Sequence, residues 1–263
     1  MAKLGDIAAY FEQAVPNEMK MDFDNVGLLV GDSAAEITRA MVALDITLDV
    51  IGEAAEAGAQ LILSHHPLFF QLRSVTDRTP EGEKAMRLLS GGMAAICLHT
   101  SLDCVQGGVN DALLRALGGR GGGILEEEKT LPDGRAYGCG RYGELDKELP
   151  MPEFLDRCRS ALGTAGLRYY DAGRPVRKLA VCGGSGGSLL ADVFRRGCDT
   201  YVTADIKYDQ FLLARERGLN LIDADHFCTE NVVVPVLAGM LSAAFPDIDV
   251  RISARHRQTV SFF

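Results

Sequence analysis

The chain has 263 residues, of which 47% are apolar and 24% are charged, and its net charge is −9. This length and composition predict a globular chain with a large buried core and exclude a largely disordered protein. The acidic balance disfavours nonspecific binding to nucleic acids or to anionic membranes. We expect no membrane span, because no apolar stretch approaches the length that a span requires.

The cysteines and the N-terminal segment indicate the cellular compartment of the protein. The seven cysteines are odd in number, spread along the chain and never spaced as C-x-x-C. This pattern argues against a disulfide framework and against a cysteine zinc knuckle. The segment MAKLGDIAAYFEQAV carries acids where a signal peptide needs an uninterrupted apolar core, so it predicts a first helix. We therefore expect a cytoplasmic protein with reduced thiols.

Strand-like apolar runs alternate with helical patterns through the first half of the chain. In order they are RAMVALDI, DVIGEAAEAGA, LILS, EGEKAMRLLS, MAAICLH and VNDALLRALG. This alternation predicts an α/β fold with a mostly parallel sheet flanked by helices. The carboxyl ends of parallel strands share one edge, where such folds usually place their ligands.

A second α/β pattern follows a joint. GGRGGGILEEEKTLPDGR predicts a long surface loop, and the pattern loosens through YGCGRYGEL and PEFLDRCRSALG. The alternation resumes with RKLAVCGG, SLLADVFRRG, CDTYVTAD, YDQFLLARERG, LNLIDAD, TENVVVPVLAGMLSAAF and IDVRISA. We predict two α/β halves, residues 1–125 and 126–263, and allow that the C-terminal helix packs back on the first half.

The stretch LILSHHPLFF at 61–70 ends a predicted strand in two adjacent histidines. Neighbouring side chains of a regular strand point to opposite faces, but Pro67 removes a ladder donor and ends that pattern. Both His65 and His66 can then reach one cleft. The alternative is one exposed histidine and one bonded to backbone, so the pair alone does not define a site.

The stretch LNLIDADHFCTE repeats this logic in the second half. His226 and Glu230 are four residues apart, so they share one face if a helix begins by residue 226. That spacing suits two ligands of one ion. Alternatively, Glu230 only favours the helix N-terminus electrostatically, while Asp225 or Thr229 caps it.

A third candidate lies in CLHTSLD. If this segment stays extended, His99, Ser101 and Asp103 lie on one face. The alternative is a turn and a helix start in which Asp103 forms an Asx-turn.

Five of the candidate residues lie just beyond the carboxyl ends of predicted strands. The set is His65, His66, Asp103, His226 and Glu230. Three imidazoles and two carboxylates suit zinc, manganese, iron, cobalt or nickel, whereas magnesium and calcium prefer sites richer in oxygen. Five ligands exceed what one catalytic zinc takes from protein, so we expect two divalent ions per chain.

Motifs along the whole chain carry a resemblance. They are FDNVGLLVGD, LILSHHPLFF, LHTSLD, GGVND, CGGSGGSLL, DTYVTADIKYDQ and LIDADHFCTE. With them the chain resembles the NIF-three-like dinuclear metal-centre proteins, also called GTP cyclohydrolase type 2 homologues, in the short form without the inserted domain. The resemblance implies two α/β halves with the metal pair in the cleft between them, a hexameric ring, and the same five ligands.

The sequence departs from the family pattern at two positions. Asp225 stands where the family often has glycine, and this carboxylate could cap a helix or accept a hydrogen bond from His226. Asp209 stands where a histidine is usual, which removes any proton transfer by a histidine there.

Two other features invite functional readings. GGSGGS at 183–188 has the context of a phosphate-binding turn but lacks both the dinucleotide and the Walker spacing, so we favour a tight strand-to-helix turn. The basic stretch RISARHRQ reads as a solvated strand edge rather than a nucleic-acid-binding arm.

The leading functional hypothesis is a metal-dependent hydrolase that acts on a nucleotide or a similar small molecule. His99 is the best candidate for a nearby acid or base. The alternative is a non-catalytic metal-binding ring that serves as a scaffold, chaperone or regulator. Nucleic acid is disfavoured as a partner by the acidic balance and the lack of interleaved basic and aromatic residues.

Overall fold

The computed structural model describes residues 2–126 and 128–262. Its described residues pack as two compact units. One contains the chain up to Leu102 together with Val234–Arg257, and the other contains Asp103–Val233 together with the chain from Gln258 onward. The predicted halves, 1–125 and 126–263, differ from this grouping in where residues 103–125 and 234–257 belong.

The first unit is built on a five-stranded sheet, as far as the chain is described. Its strand order is Asp249–Ile252, Arg39–Ala43, Leu61–Ser64, Ala94–Cys97 and Gly27–Val30. The first four are mutually parallel, and Gly27–Val30 is an antiparallel edge. A small sheet pairs Ala2–Lys3 with Glu36–Ile37. Leu61–Ser64 is therefore a central strand, which explains why each of its residues is buried.

Helices pack beside this sheet, and two of them begin at a threonine cap. They are Leu4–Ala14, Leu48–Ala57, Pro80–Ser90 and Val234–Ala244, with a 3₁₀ turn at Asn17–Met19. The Thr47 and Thr79 hydroxyls each accept an N–H of the first turn, and Pro80 fits the first helical position. Helix His99–Cys104 contains the boundary between the units.

The second unit is built on a six-stranded mixed sheet in the described part of the chain. Its order is Arg168–Tyr170, Asn220–Asp223, Thr200–Ala204, Val176–Ser185, Arg141–Leu149 and Gly119–Ile124. The three middle strands from Asn220–Asp223 to Val176–Ser185 are parallel, and the outer pairings are antiparallel. Lys129–Thr130 pairs with Ala136–Tyr137 in a small separate sheet.

Helices flank this sheet as well. They are Val109–Ala116, Met151–Leu162, Leu190–Arg196, Tyr208–Arg217 and His226–Glu230, with 3₁₀ turns at Gly187–Leu189 and Asn231–Val233. Phe154 and Tyr201 are fully buried in two separate apolar clusters of this unit. Together with the first unit, this arrangement confirms the predicted α/β class with sheets flanked by helices.

The joint predicted between the halves is more regular than the sequence indicated. GGRGGGILEEEKTLPDGR was expected to be a surface loop, but Gly119–Ile124 is an edge strand paired with Arg141–Leu149. Residue 127 of this stretch lies outside the described residues. The strand escaped prediction because four of its six residues are glycine, which has low strand propensity, and its backbone is held by the partner strand.

The helical run His226–Ala244 is long and apolar enough to cross a membrane by length and composition. The expectation that no apolar stretch approaches this length is therefore wrong. The run is weak evidence for a membrane span, because core helices pass the same test and Val234, Leu237 and Leu241 are buried against protein.

Candidate metal centre

Two adjacent histidines end the central strand of the first unit. The strand ends at Ser64, and the His66 N–H donates to the Leu44 carbonyl at 2.8 Å. The His65 carbonyl accepts the His99 N–H at 2.9 Å. The two imidazole rings do not diverge as they would in a regular strand, since their centroids are only 4.8 Å apart.

His99 completes what we call the histidine cluster, which consists of His65, His66 and His99. The His99 ring centroid lies 5.3 Å from that of His65 and 5.4 Å from that of His66. One nitrogen from each of the three rings lies within 4.8 Å of the others, a spacing that could hold a metal ion. The His65 side chain is fully buried.

The segment that carries His99 and Asp103 is helical rather than extended. Helix His99–Cys104 begins one residue after strand Ala94–Cys97, so the segment does not stay extended and the condition for residues 99, 101 and 103 to share one face is not met. In a helix, residues four apart share a face, which relates His99 to Asp103 instead. The chain turns here because the Thr100 N–H donates to the Asp24 carboxylate, away from the sheet ladder.

Carboxylates fix two rings of the histidine cluster. Oδ1 of Asp24 lies 2.8 Å from Nδ1 of His99, and Oδ1 of Asp45 lies 2.7 Å from Nδ1 of His66. Burial would raise the pKa of Asp24, but hydrogen bonds from His99 and Thr100 lower it to about 2. Burial would also raise the pKa of Asp45, but hydrogen bonds with His256 and His66 hold that pKa well below its usual value. Both acids are therefore carboxylates at neutral pH, which favours a proton on Nδ1 of each ring and leaves Nε2 as the nitrogen that could bind a metal ion.

The second unit contains what we call the acidic cluster, which consists of Asp103, His226 and Glu230. His226 begins a helix, and its Nε2 lies 3.1 Å from Oε2 of Glu230 one turn later. A carboxylate oxygen of Asp103 lies within 4.8 Å of one from Glu230. Nδ1 of His226 lies 2.7 Å from Oδ2 of Asp205. The hydrogen bond with Glu230, against the opposing effect of burial and with help from Asp205, raises the pKa of His226 to about 9.

Asp225 caps the helix that carries His226 and Glu230. Its side chain accepts the Cys228 N–H at 3.0 Å, while its own φ is +74°, a value that favours glycine. The backbone needs a positive φ here, and Asp225 offsets the strain with its cap. The acceptor for Nδ1 of His226 is Asp205 rather than Asp225. Asp209 is exposed in the first turn of helix Tyr208–Arg217.

The glycine-rich turn after strand Val176–Ser185 makes room for Glu230. A Cβ on Gly184 would lie 2.1 Å from Oε1 of Glu230, and the φ of Gly184 is +61°. The Gly184 N–H donates to the Thr229 hydroxyl, and the Gly183 N–H donates to the Asn110 side chain. These N–H groups are engaged by protein, which supports a structural turn over a phosphate-binding one.

Three other sequence features can be placed in the structure. The buried Asn110 amide donates to the Asp103 carbonyl at 2.9 Å, so one side chain ties Asp103 to the glycine-rich turn. The basic stretch near the C-terminus begins within the edge strand Asp249–Ile252, where Arg251 pairs with Asp249. All seven cysteines are reduced and buried.

Sequence reasoning missed the residues that orient the histidines. In FDNVGLLVGD, Asn25 or Asp24 could equally be an outer hydrogen-bond partner of the site or part of a turn, and Asp45, Asp205 and His256 were not considered. Asp205 follows strand Thr200–Ala204 directly, and Asp45 follows strand Arg39–Ala43 after one residue, so a search for carboxylates at strand ends would have found them. His256 reaches Asp45 from the end of the chain, with Nε2 at 2.9 Å from Oδ2. No local sequence pattern predicts the contact between His256 and Asp45.

The donor types fit a borderline divalent ion. Imidazoles fixed by carboxylates and two further acids are the groups that zinc, manganese, iron, cobalt and nickel take from proteins. Four of the five histidines of the chain belong to these clusters, and the fifth, His256, contacts Asp45, whose other oxygen faces His66. That concentration indicates a metal-binding function.

Comparison with known proteins agrees with these features. The family model Duf34/NIF3 (NGG1p interacting factor 3) matches residues 2–259. A Clostridium perfringens protein named GTP cyclohydrolase 1 type 2 homolog is 37% identical over 99% of both chains, and a Clostridium acetobutylicum protein of that name is 36% identical over 92% of this chain and 90% of its own.

Solved structures show the same fold. The Staphylococcus aureus hypothetical protein SA1388 superposes with a TM-score of 0.89, at 26% identity and 99% coverage of both chains. A Bacillus cereus protein related to NIF3 gives 0.90 at 22% identity, covering 100% of this chain and 99% of its own. The match of the family model over nearly the whole length, with relatives above 30% identity, shows that this chain belongs to the Duf34/NIF3 family.

Proposed function

We propose that the histidine cluster and the acidic cluster together bind two divalent metal ions, with His65, His66, Asp103, His226 and Glu230 as ligands. The observation that carries this proposal is that His66 and His226 are oriented in the same way. Each has Nδ1 held by a carboxylate at 2.7 Å, which is how proteins orient metal-binding imidazoles. Family membership supports metal binding as well.

The charge of the donors suits a pair of cations. Two carboxylates supply ligands, and Asp45 and Asp205 add negative charge behind the imidazoles. Five protein ligands divided between two ions leave each ion open positions, as catalytic sites require. The ion is zinc, manganese, iron, cobalt or nickel in this proposal, because magnesium and calcium prefer sites richer in oxygen.

The reaction that this arrangement supports best is hydrolysis. When bound, the ions would supply an activated water and would stabilise negative charge that develops on the substrate. The residues of the chain provide positioning and proton transfer. His99 has Nδ1 held by Asp24, so Nε2 is the atom at which it would accept or donate a proton.

The proposed substrate is a nucleotide or a similar small molecule with a flat ring. Phe23 and Phe70 are 64% and 52% exposed, and their ring centroids are 6.0 Å apart. The Phe70 ring lies 5.8 Å from the His99 ring, so an apolar face adjoins the histidine cluster. Exposed aromatic rings of this kind stack on nucleobases. The name of the clostridial relatives directs the first assay to GTP.

The same proposal includes a cytoplasmic location and a homo-oligomer in the form of a hexameric ring. Seven reduced cysteines support a reducing compartment. The ring rests on the family resemblance alone. Native mass spectrometry of the purified protein tests it directly.

The experiment that tests the function compares wild type with His66→Ala after loading with each candidate metal. We expect about two ions per chain by elemental analysis and turnover of GTP or another member of a nucleotide and phosphoester panel. His66→Ala should lose turnover while its native mass stays unchanged. Asp209→Ala is a control, because Asp209 is exposed and outside both clusters.

Two outcomes would contradict the proposal at different levels. Wild-type protein that takes up no transition metal even after resupply would overturn the metal centre. Stoichiometric metal with no turnover on any substrate would overturn the hydrolase and favour the alternative, a non-catalytic metal-binding scaffold.

A further inference from the structure

One carboxylate lies between two imidazoles in the first unit. Oδ1 of Asp45 is 2.7 Å from Nδ1 of His66, and Oδ2 of the same group is 2.9 Å from Nε2 of His256. The His256 side chain is only 6% exposed. Because each oxygen faces a different ring, the plane of the carboxylate is fixed from both sides.

His256 reaches this position through a held C-terminal segment. Strand Asp249–Ile252 ends at the sheet edge, and the next N–H, from Ser253, donates to the Val42 carbonyl. The Glu53 carboxylate then accepts the Ser253 hydroxyl and the N–H groups of Ala254 and Arg255. The His256 N–H donates back to the Ser253 hydroxyl. The imidazole is therefore placed beside Asp45 by a segment that hydrogen bonds to Val42 and Glu53 hold in position.

We infer that His256 is a positioning residue for metal binding: it holds Asp45 in the orientation that keeps the proton of His66 on Nδ1 and presents Nε2 to the ion. Without the second imidazole, the Asp45 carboxylate could rotate, and His66 would lose its fixed tautomer and ring orientation. This inference rests on the proposed metal centre for the ion. The arrangement of the three side chains stands independently of it.

The simpler explanation is that His256 only anchors the C-terminal segment. The two explanations differ in what a substitution should do. If His256 positions Asp45, a side chain that restores the donated N–H should restore metal affinity. If it is only an anchor, any change that loosens the segment should have the same effect.

Three variants of the full chain separate these explanations. His256→Ala removes the donor to Asp45. His256→Gln replaces it with an amide N–H at a similar reach. Arg255→Ala removes the ion pair between Arg255 and Glu56 in the same segment and leaves the imidazole in place. Circular dichroism and native mass confirm that each variant is folded.

The first measurement is competition for Zn²⁺ against a chromophoric chelator. We expect His256→Ala to bind the ion about 10- to 100-fold more weakly, which is the usual effect of removing an outer partner of a metal-binding histidine. His256→Gln should recover most of this loss, and Arg255→Ala should stay within about twofold of wild type. Equal affinity of His256→Ala and wild type would overturn the inference, as would equal weakening by all three substitutions.

The second measurement needs no metal. Nitrogen-15 spectra of the imidazoles in chelator-treated protein report the tautomer of each ring. We expect His66 to be protonated at Nδ1 in wild type and to become a mixture in His256→Ala. An unchanged His66 spectrum in that variant would overturn the inference. If wild type binds no Zn²⁺ at all, the proposed metal centre fails, while this spectrum still decides the role of His256.

Discussion

Asp24 and His99 are 75 positions apart in the chain, yet Oδ1 of one lies 2.8 Å from Nδ1 of the other. The same carboxylate accepts the Thr100 N–H and hydroxyl through Oδ2. The Asn25 N–H also donates to Oδ1, so a single buried acid faces four donors and holds the start of helix His99–Cys104 against the loop that carries Phe23.

Replacement of Asp24 should change how stability depends on pH. Its pKa falls from 3.8 to about 2 in the folded state, so its contribution is fully present above the unfolded value and is lost as pH falls through the folded one. In metal-free protein, we expect Asp24→Asn to be less stable by roughly 2 kcal/mol near pH 6. That deficit should shrink as the pH falls from about 4 to about 2.

Urea unfolding of wild type and Asp24→Asn across this pH range measures the deficit directly. Other acids titrate in both proteins, so only the difference between the two curves reports on Asp24. A deficit that is constant with pH would show that this carboxylate is not held by its donors in the folded state.

Replacement of Gly184 should disturb the acidic cluster. A Cβ there would lie 2.1 Å from Oε1 of Glu230, and the residue also has a φ of +61°. Gly197→Ala is the matched control, because Gly197 has a φ of +65° but nothing within 4 Å of its added Cβ. We expect about 1 kcal/mol of destabilisation in the control from backbone strain alone.

For Gly184→Ala we expect a further loss of about 1–3 kcal/mol, because Glu230 must move. Unfolding by urea gives both values, and elemental analysis should show reduced metal in Gly184→Ala only. Equal destabilisation and equal metal content in the two variants would mean that Gly184 is needed for its backbone conformation and not for space beside Glu230.

Asp225 should tolerate glycine better than alanine. Its φ of +74° strains any side chain, and its carboxylate caps the helix by accepting the Cys228 N–H. Alanine removes the cap and keeps the strain, which should cost about 1 kcal/mol. Glycine removes the cap and also relieves the strain, so Asp225→Gly should be the more stable of the two variants. Thermal unfolding of the pair gives the order, and the reverse order would show that the backbone is unstrained.

Removal of the Asp103 charge should weaken metal binding without unfolding the chain. Asp103→Asn keeps the shape of the side chain and its helix but offers a weaker, neutral ligand. We expect a loss of at least about tenfold in affinity for one of the two ions, by titration with Zn²⁺. Asp209→Asn makes the same change at an exposed helix start and should bind as wild type does. Matching affinities in the two variants would remove Asp103 from the ligand set.

The sequence alone determined the α/β class, most of the elements and the candidate histidines and acids. It could do so because apolar periodicity reports local structure, and because buried strands that end in His65, His66 and Asp225-His226 are visible without a fold. Local sequence patterns failed to predict elements whose conformation depends on contacts with other parts of the chain. The glycine strand Gly119–Ile124 and the short helix His99–Cys104 are held by partners distant in the chain.

Only the tertiary structure decided which groups orient the histidines. Asp24 reaches His99, Asp205 reaches His226, and Asp45 contacts both His66, 21 residues later in the chain, and His256, 211 residues later. A hydrogen bond depends on distances of about 3 Å, and those distances are set by packing rather than by spacing in the sequence. A linear pattern can therefore name the donors of a metal centre, but the carboxylates that fix each ring emerge only when the chain has folded.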